Sequence, residues 1–158
     1  MSIQFELNGR LTGIDAKPGT TLLEYLRSSD IFSVKHGCDH GECGACTILL
    51  NGRAVNACMI LIHQVEGKKV ETLESLSSHG ELHNSQEAFL DAGAAQCGYC
   101  TPGMLMSIEA LNREERAVSE NDVRDALSGN LCRCTGYVKP VEAAIKSLNS
   151  SKTNEVQS

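Results

Sequence analysis

Along residues 1 to about 75, apolar and polar positions alternate with a period of two. Ile3, Phe5 and Leu7 are separated by Gln4 and Glu6, the spacing that puts one face of a strand into a core and the other into water. Asn8-Gly9 supplies a hairpin turn before a second strand over 11–15. Pro18-Gly19 then breaks the pattern, and Leu22, Leu23 and Leu26 change the period to that of a short helix with Thr20 or Thr21 as N-cap. A loop rich in glycine and cysteine leads into a strand over 46–50, a second hairpin at Asn51-Gly52 and a closing strand over 70–73. Two hairpins, one packed helix and a long loop make a small α+β sheet domain.

Beyond residue 76 the strand pattern stops and four short helices are expected. The first covers 85–92, with Asn84 and Glu87 placed as a capping box. Pro102 takes the first position of the second, after Thr101, with Met104, Leu105, Ile108 and Leu111 on one face. Ser119 with Asp122 opens the third, Val123, Ala126 and Leu127 form its stripe, and Gly129 ends it. Pro140 starts the fourth, in which Val141, Ala144, Ile145 and Leu148 share a side. The division that follows is a sheet domain over 1–75, a helical domain over 76–148, and a polar tail over 149–158 that reads as disordered.

Composition narrows the function. The chain has 158 residues and a formal charge of −6. Both parts are acidic, with 7 basic residues against 9 acidic in residues 1–75 and 7 against 11 beyond. A protein that tracks phosphates needs a basic field, so nucleic acid is excluded as a partner. The longest apolar run, 57–62, is six residues, far short of the roughly 20 that cross a bilayer. The first residues carry neither a basic segment nor an apolar one, so no secretory signal is expected and the cytoplasm is the expected compartment.

For that compartment the eight cysteines are too many. Disulfides do not suit a reducing environment, which leaves zinc and iron–sulfur clusters. The cysteines fall into two quartets with 38 residues between them. The first is Cys38-x4-Cys43-x2-Cys46 with Cys58 downstream, the plant-type 2Fe-2S ferredoxin spacing. Gly37, Gly41 and Gly44 interleave with it and let backbone approach a cluster closely. Zinc needs only a tight turn between paired cysteines and leaves the x4 step unexplained.

The second quartet is Cys97-x2-Cys100 followed by Cys132-x-Cys134. Its C-x-x-C alone would equally suit zinc or a redox dithiol. The helix map puts both pairs in interhelical loops, which meet if the bundle brings those loops to one end. Histidine ligation of the Rieske type fails, because Cys38-Asp39-His40 has no C-x-x-H to complete it. His36 and His40 read as solvated loop residues, and His63, His79 and His83 have no ligand spacing.

The segments Gly37-Cys38-Asp39-His40-Gly41-Glu42-Cys43-Gly44-Ala45-Cys46, Gln96-Cys97-Gly98-Tyr99-Cys100-Thr101-Pro102-Gly103 and Gly129-Asn130-Leu131-Cys132-Arg133-Cys134-Thr135-Gly136-Tyr137 together resemble the small iron–sulfur subunit of molybdenum hydroxylases, the xanthine dehydrogenase, aldehyde oxidoreductase and carbon monoxide dehydrogenase family. The resemblance runs to about residue 148. It implies an N-terminal β-grasp ferredoxin-like domain and a C-terminal four-helix bundle, each holding one 2Fe-2S cluster through its cysteine quartet. It further implies that Gln96 hydrogen-bonds a molybdopterin on a partner chain, and that Cys134 approaches the pterin as well as binding iron. By the same resemblance the partners are a large molybdopterin subunit and a medium FAD subunit, in a heterotrimer or its dimer.

Nothing in the chain itself offers a nucleotide or catalytic site: there is no G-x-G-x-x-G, no Walker loop and no cysteine left over as a nucleophile. An electron-transfer subunit is the expected role. A free-standing two-cluster ferredoxin and a zinc-stabilised adaptor are the alternatives.

Overall fold

The fold was analysed in a computed structural model that describes residues 2–77, 80–114 and 116–155, with backbone alone over 151–155. Five strands form one sheet in the order β2-β1-β5-β3-β4. β1 (Ser2–Leu7) and β2 (Arg10–Asp15) are an antiparallel hairpin in which Leu7 faces Arg10. Asn8 and Gly9 both take positive φ, 50° and 79°, as a two-residue turn that follows the strand twist requires. The hairpin of β3 (Thr47–Leu50) and β4 (Arg53–Asn56) repeats this device at Asn51 and Gly52. β5 (Lys69–Glu71) lies between them, parallel to β1 and antiparallel to β3. It ends at Glu71, and Leu73 starts a 3-10 turn.

Helix α1 (Leu22–Ser28) crosses the sheet. Thr21 caps it, accepting from Glu24 N–H while the Glu24 carboxylate accepts from Thr21 N–H at 2.7 Å. Leu22, Leu23 and Leu26 pack with Ile3, Phe5, Ile48 and Val70 in the first core. This mixed sheet with its packed helix is the β-grasp arrangement expected from the sequence.

The remaining helices are α2 (Asn84–Asp91), α3 (Thr101–Asn112), α4 (Glu120–Leu127) and α5 (Val138–Glu155). They pack around a second core of Phe89, Met104, Leu105, Ile108, Val123, Leu127 and Ala144. The expected four-helix bundle is present, and four details differ from the sequence reading. His83 rather than Asn84 caps α2, with Gln86 Oε1 accepting from His83 N–H at 2.8 Å. Pro102 lies one residue inside α3, because Cys100 serves as N-cap and Thr101 opens the helix. α5 starts at Val138, two residues before Pro140; the first turn tolerates proline because its N–H has no intrahelical acceptor. α5 also continues to Glu155 where a disordered tail from Asn149 was expected. A helix already nucleated by packing extends cheaply, and the Ser150 hydroxyl donates back to Lys146 C=O at 2.9 Å. His79 lies outside the described residues.

Sheet and bundle meet along α3, which packs on β3 and β4. Leu49 on β3 and Met106 on α3 are fully buried without joining either core. Arg113, just past α3, donates two hydrogen bonds to the Glu71 carboxylate, at 2.7 and 2.9 Å. Its Nε donates to buried Glu109 at 2.7 Å. Among the described residues, no helix is long and apolar enough to cross a membrane.

Candidate metal centres

None of the eight cysteines is paired in a disulfide. Cys38 and Cys43 lie on the irregular loop between α1 and β3, both partly exposed. Cys46 directly precedes β3, Cys58 sits in the 3-10 turn after β4, and both are buried. The loop reaches this shape through left-handed residues, with Gly41 at φ +81° and Gly44 at φ +68°. Gly37 answers a close approach instead: a Cβ there would lie 2.6 Å from Cys43 Sγ. Side chain to side chain, Cys38 interacts with Cys43 and Cys46 with Cys58. The four thiols fall into two neighbouring pairs, with Cys43 also acting electrostatically on Cys46.

Electrostatics at this loop is uneven. Backbone N–H groups of His40 and Cys43 point at the Cys38 sulfur, the latter at 3.4 Å, and lower that thiol to about 6. Amides aimed at sulfur in this way are what a cluster loop supplies. Cys46, by contrast, is pushed up to about 12 by burial. His36 and His40 are exposed, as expected, and each turns to a nearby carboxylate, His36 to Asp39 at 2.5 Å and His40 to Glu42 at 3.2 Å.

The second quartet is assembled from two loops. Cys97 and Cys100 lie between α2 and α3, and Cys132 and Cys134 lie between α4 and α5. Cys100 interacts with Cys132 and Cys97 with Cys134, again two pairs. Burial pushes Cys100 up to about 12. Burial also pushes Cys132 upward, but the Thr135 hydroxyl at 3.1 Å and the N–H groups of Thr135 and Cys134 outweigh it and leave the thiol at about 7. Cys134 is raised, first by its bond with Cys97. Cys97, Cys134 and Gln96 are all exposed.

These thiols fit 2Fe-2S clusters better than single ions. Among the described residues, no three His, Cys, Asp or Glu side chains converge on one metal position. A four-coordinate zinc site needs four donors at a point, whereas a 2Fe-2S cluster spreads its four cysteines over two irons. Two pairs in each quartet match the second requirement.

Several residues of the site had no assigned role in the sequence reading. The Tyr137 hydroxyl accepts from Cys132 N–H at 2.8 Å, and Tyr137 itself takes φ +67°. The Tyr99 hydroxyl donates to His36 C=O at 2.5 Å, tying the second quartet's loop to the first's. Asn130 is 2% exposed, and its amide donates to Gly44 C=O at 3.0 Å. All three lie within the quoted motifs, so the signal that could have found them is their position beside the ligands.

The comparisons with known proteins agree with this geometry. A 2Fe-2S iron-sulfur cluster binding domain matches residues 5–77, and a further 2Fe-2S binding domain matches residues 72–145. The xanthine dehydrogenase iron-sulfur-binding subunit of Escherichia coli O157:H7 is 44% identical over 139 residues, which are 87% of each chain. The nicotinate dehydrogenase small FeS subunit of Eubacterium barkeri is 43% identical, over 92% of this chain and 93% of the relative. A chain in the crystal structure of quinoline 2-oxidoreductase from Pseudomonas putida 86 superposes with a TM-score of 0.91, at 37% identity and 98% coverage of both chains. With two paired cysteine quartets on a β-grasp sheet and a four-helix bundle, the chain belongs to the small 2Fe-2S subunits of the molybdenum hydroxylases.

Proposed function

We propose that the chain relays single electrons between a molybdopterin centre and FAD held by partner subunits. In this reading Cys38, Cys43, Cys46 and Cys58 bind one 2Fe-2S cluster, and Cys97, Cys100, Cys132 and Cys134 bind the other. Each cluster, when bound, accepts and passes on one electron at a time, which lets a two-electron oxidation feed single-electron hops. The residues of this chain supply thiolates, aim N–H groups at sulfur and set burial, the levers that tune a cluster's potential. The partition of the chain into a sheet part over 1–75 and a helical part over 76–148 belongs to the same proposal.

The observation that carries it is the difference in burial between two otherwise similar quartets. The first keeps Cys46 and Cys58 at 3% and 8% exposure under the sheet. The second opens at the surface through Cys97 and Cys134, beside exposed Gln96, Tyr99 and Leu131. An exposed thiol pair with apolar and amide neighbours suits a partner that brings its redox centre close. Gln96 would then hydrogen-bond the pterin, and Cys134 would be the iron ligand nearest it. A large molybdopterin subunit and a medium FAD subunit, as a heterotrimer or its dimer in the cytoplasm, complete the proposal.

Purification from the native host tests it. The expected result is brown protein containing iron, with two EPR signals on reduction, recovered together with a molybdenum-containing chain. Iron-bearing protein recovered alone would favour a free-standing ferredoxin. Colourless, EPR-silent protein with bound zinc would reject electron transfer.

A further inference from the structure

Besides the Tyr99–His36 bond, the two cysteine loops are joined backbone to backbone. Leu131 N–H donates to Cys43 C=O at 2.9 Å, so a ligand-bearing residue of the first quartet is bonded to the residue directly before Cys132. Beside this bond, Asn130 Nδ2 donates to Gly44 C=O at 3.0 Å and lies 3.2 Å from Thr47 Oγ1. The Asn130 Oδ1 accepts from the Ser107 hydroxyl of α3 at 2.8 Å. The amide is buried and has partners on three separate elements: the first loop, the start of β3 and α3.

The backbone here is packed to contact. A Cβ at Gly44 would lie 2.1 Å from Gly129 C=O, and one at Gly103 would lie 2.3 Å from Gly44 C=O. Neither position admits a side chain, and the atoms in the way are backbone, which cannot swing aside. Three chain segments that carry cysteine ligands, or flank them, thus meet at van der Waals distance around one asparagine.

We infer that Asn130 is a positioning residue that fixes the separation and orientation of the two cysteine quartets, through its bonds to Gly44 and Ser107 and its contact with Thr47. The other link between the loops, from Tyr99 to His36 C=O, is an exposed side-chain bond. With both clusters bound, the geometry that Asn130 fixes would serve the passage of one electron from one to the other, with no bond made or broken and no proton moved. A step of this kind depends steeply on distance and orientation, and neither quartet can set these alone. The inference rests on the assignment of the eight cysteines as ligands proposed above.

The test uses the full chain with both clusters in place, comparing wild type, Asn130→Ala and Ser107→Ala. Iron content and the two separate EPR signals report whether the clusters are bound. The dipolar splitting between them in the fully reduced protein reports their separation. Asn130→Ala should keep both signals while the splitting is lost or smeared, and Ser107→Ala, which keeps the donors to Gly44 and Thr47, should weaken it less. Splitting that is unchanged in a fully loaded Asn130→Ala protein overturns the inference. If Asn130→Ala does not load, Ser107→Ala decides: a smeared splitting supports the inference and an unchanged one overturns it. Wild-type protein without iron signals would reject the ligand assignment itself, a different failure, and the inference would fall with it.

Discussion

The two cysteine quartets use one ligand chemistry and reach it by opposite routes. In the first, three of the four thiols lie on a single loop, shaped by Gly41 and Gly44 at positive φ, and the fourth follows one hairpin later. In the second, two pairs on loops far apart in sequence meet only because four helices bring them together. The first is a local structure that the sheet merely holds. The second is a product of the whole bundle, so metal binding there and helix packing are one event. Burial follows the same division: the local site buries Cys46 and Cys58 and leaves Cys38 and Cys43 partly exposed, whereas the assembled one buries none of its thiols and exposes Cys97 and Cys134.

Removing one ligand from each side should expose that asymmetry most clearly. Cys43→Ser is expected to lose about half of the iron and one of the two EPR signals, while the second remains. Cys100→Ser should also lose one signal, and in addition lower the unfolding midpoint of the helical part somewhat more than Cys43→Ser lowers that of the sheet. A cross-link that closes a long stretch of chain removes more entropy from the unfolded state than one within a short loop. Iron analysis, EPR and circular dichroism melts of the two variants measure this. Loss of both signals from Cys43→Ser would break the division into two independent centres.

Arg113 joins the two regions, and its removal is the next largest effect. Arg113→Ala strips the bidentate bond from Glu71 and leaves buried Glu109 with only His83, 3.9 Å away. Breaking a buried pair costs about 3–5 kcal/mol. Arg113 is itself about a third exposed, so about 2 kcal/mol is the expected loss, read by urea denaturation. If the pair joins the halves as described, the single transition should broaden or split in two. Arg113→Lys should recover only part of the loss, since an ammonium cannot reproduce the fork geometry.

Gln96→Ala addresses the open site alone. It should leave both clusters bound and weaken docking to the molybdopterin chain by about 1 kcal/mol, about fivefold in Kd, as the loss of one hydrogen bond predicts. Electron transfer from molybdenum, followed by stopped-flow in the assembled enzyme, should slow. An unchanged rate would remove Gln96 from the pterin contact.

The same asymmetry explains what could be read from sequence. The first site is written in neighbouring letters: the Cys38–Cys43–Cys46 spacing, its glycines and the two Asn-Gly turns all act over a few residues. The Ser119 cap was legible for the same reason, and the α1 cap was narrowed to Thr20 or Thr21, of which Thr21 serves. That the loop of Cys97 and Cys100 meets the loop of Cys132 and Cys134 needed the helix map as an intermediate, because proximity there is a tertiary property, and the pairing within them came only from the structure. Asn130 could be singled out by its place beside Cys132, but not its role: its bond to Gly44 spans 86 residues, and no local pattern distinguishes a bridging asparagine from one in a turn. Boundaries slipped where two signals competed. Asn84 and His83 both offer a cap, and Pro140 fits inside a first turn as well as at its start.

The smallest effect lies in the helix that carries the second quartet's approach. At the start of α4 the Asp122 carboxylate accepts from the Ser119 hydroxyl and from Ser119 N–H at 2.7 Å, and Arg116 lies 2.8 Å from it. Those bonds hold its pKa at about 2, below the ordinary 3.8. A carboxyl that titrates lower when folded adds stability above its unfolded pKa, and that contribution disappears as pH falls through the folded one. The helical part should therefore loosen between about pH 4 and pH 2, with the Cys132 loop that follows α4 feeling it first. The sheet has a counterpart in Glu74: burial pushes this carboxyl up, but hydrogen bonds from Ser33, at the start of the first cysteine loop, and from Thr72 outweigh it and lower it, so acid should loosen both regions rather than the helical one alone. Asp122→Asn should flatten the pH dependence of the helical melt across that window, and an unchanged profile would place the acid sensitivity elsewhere.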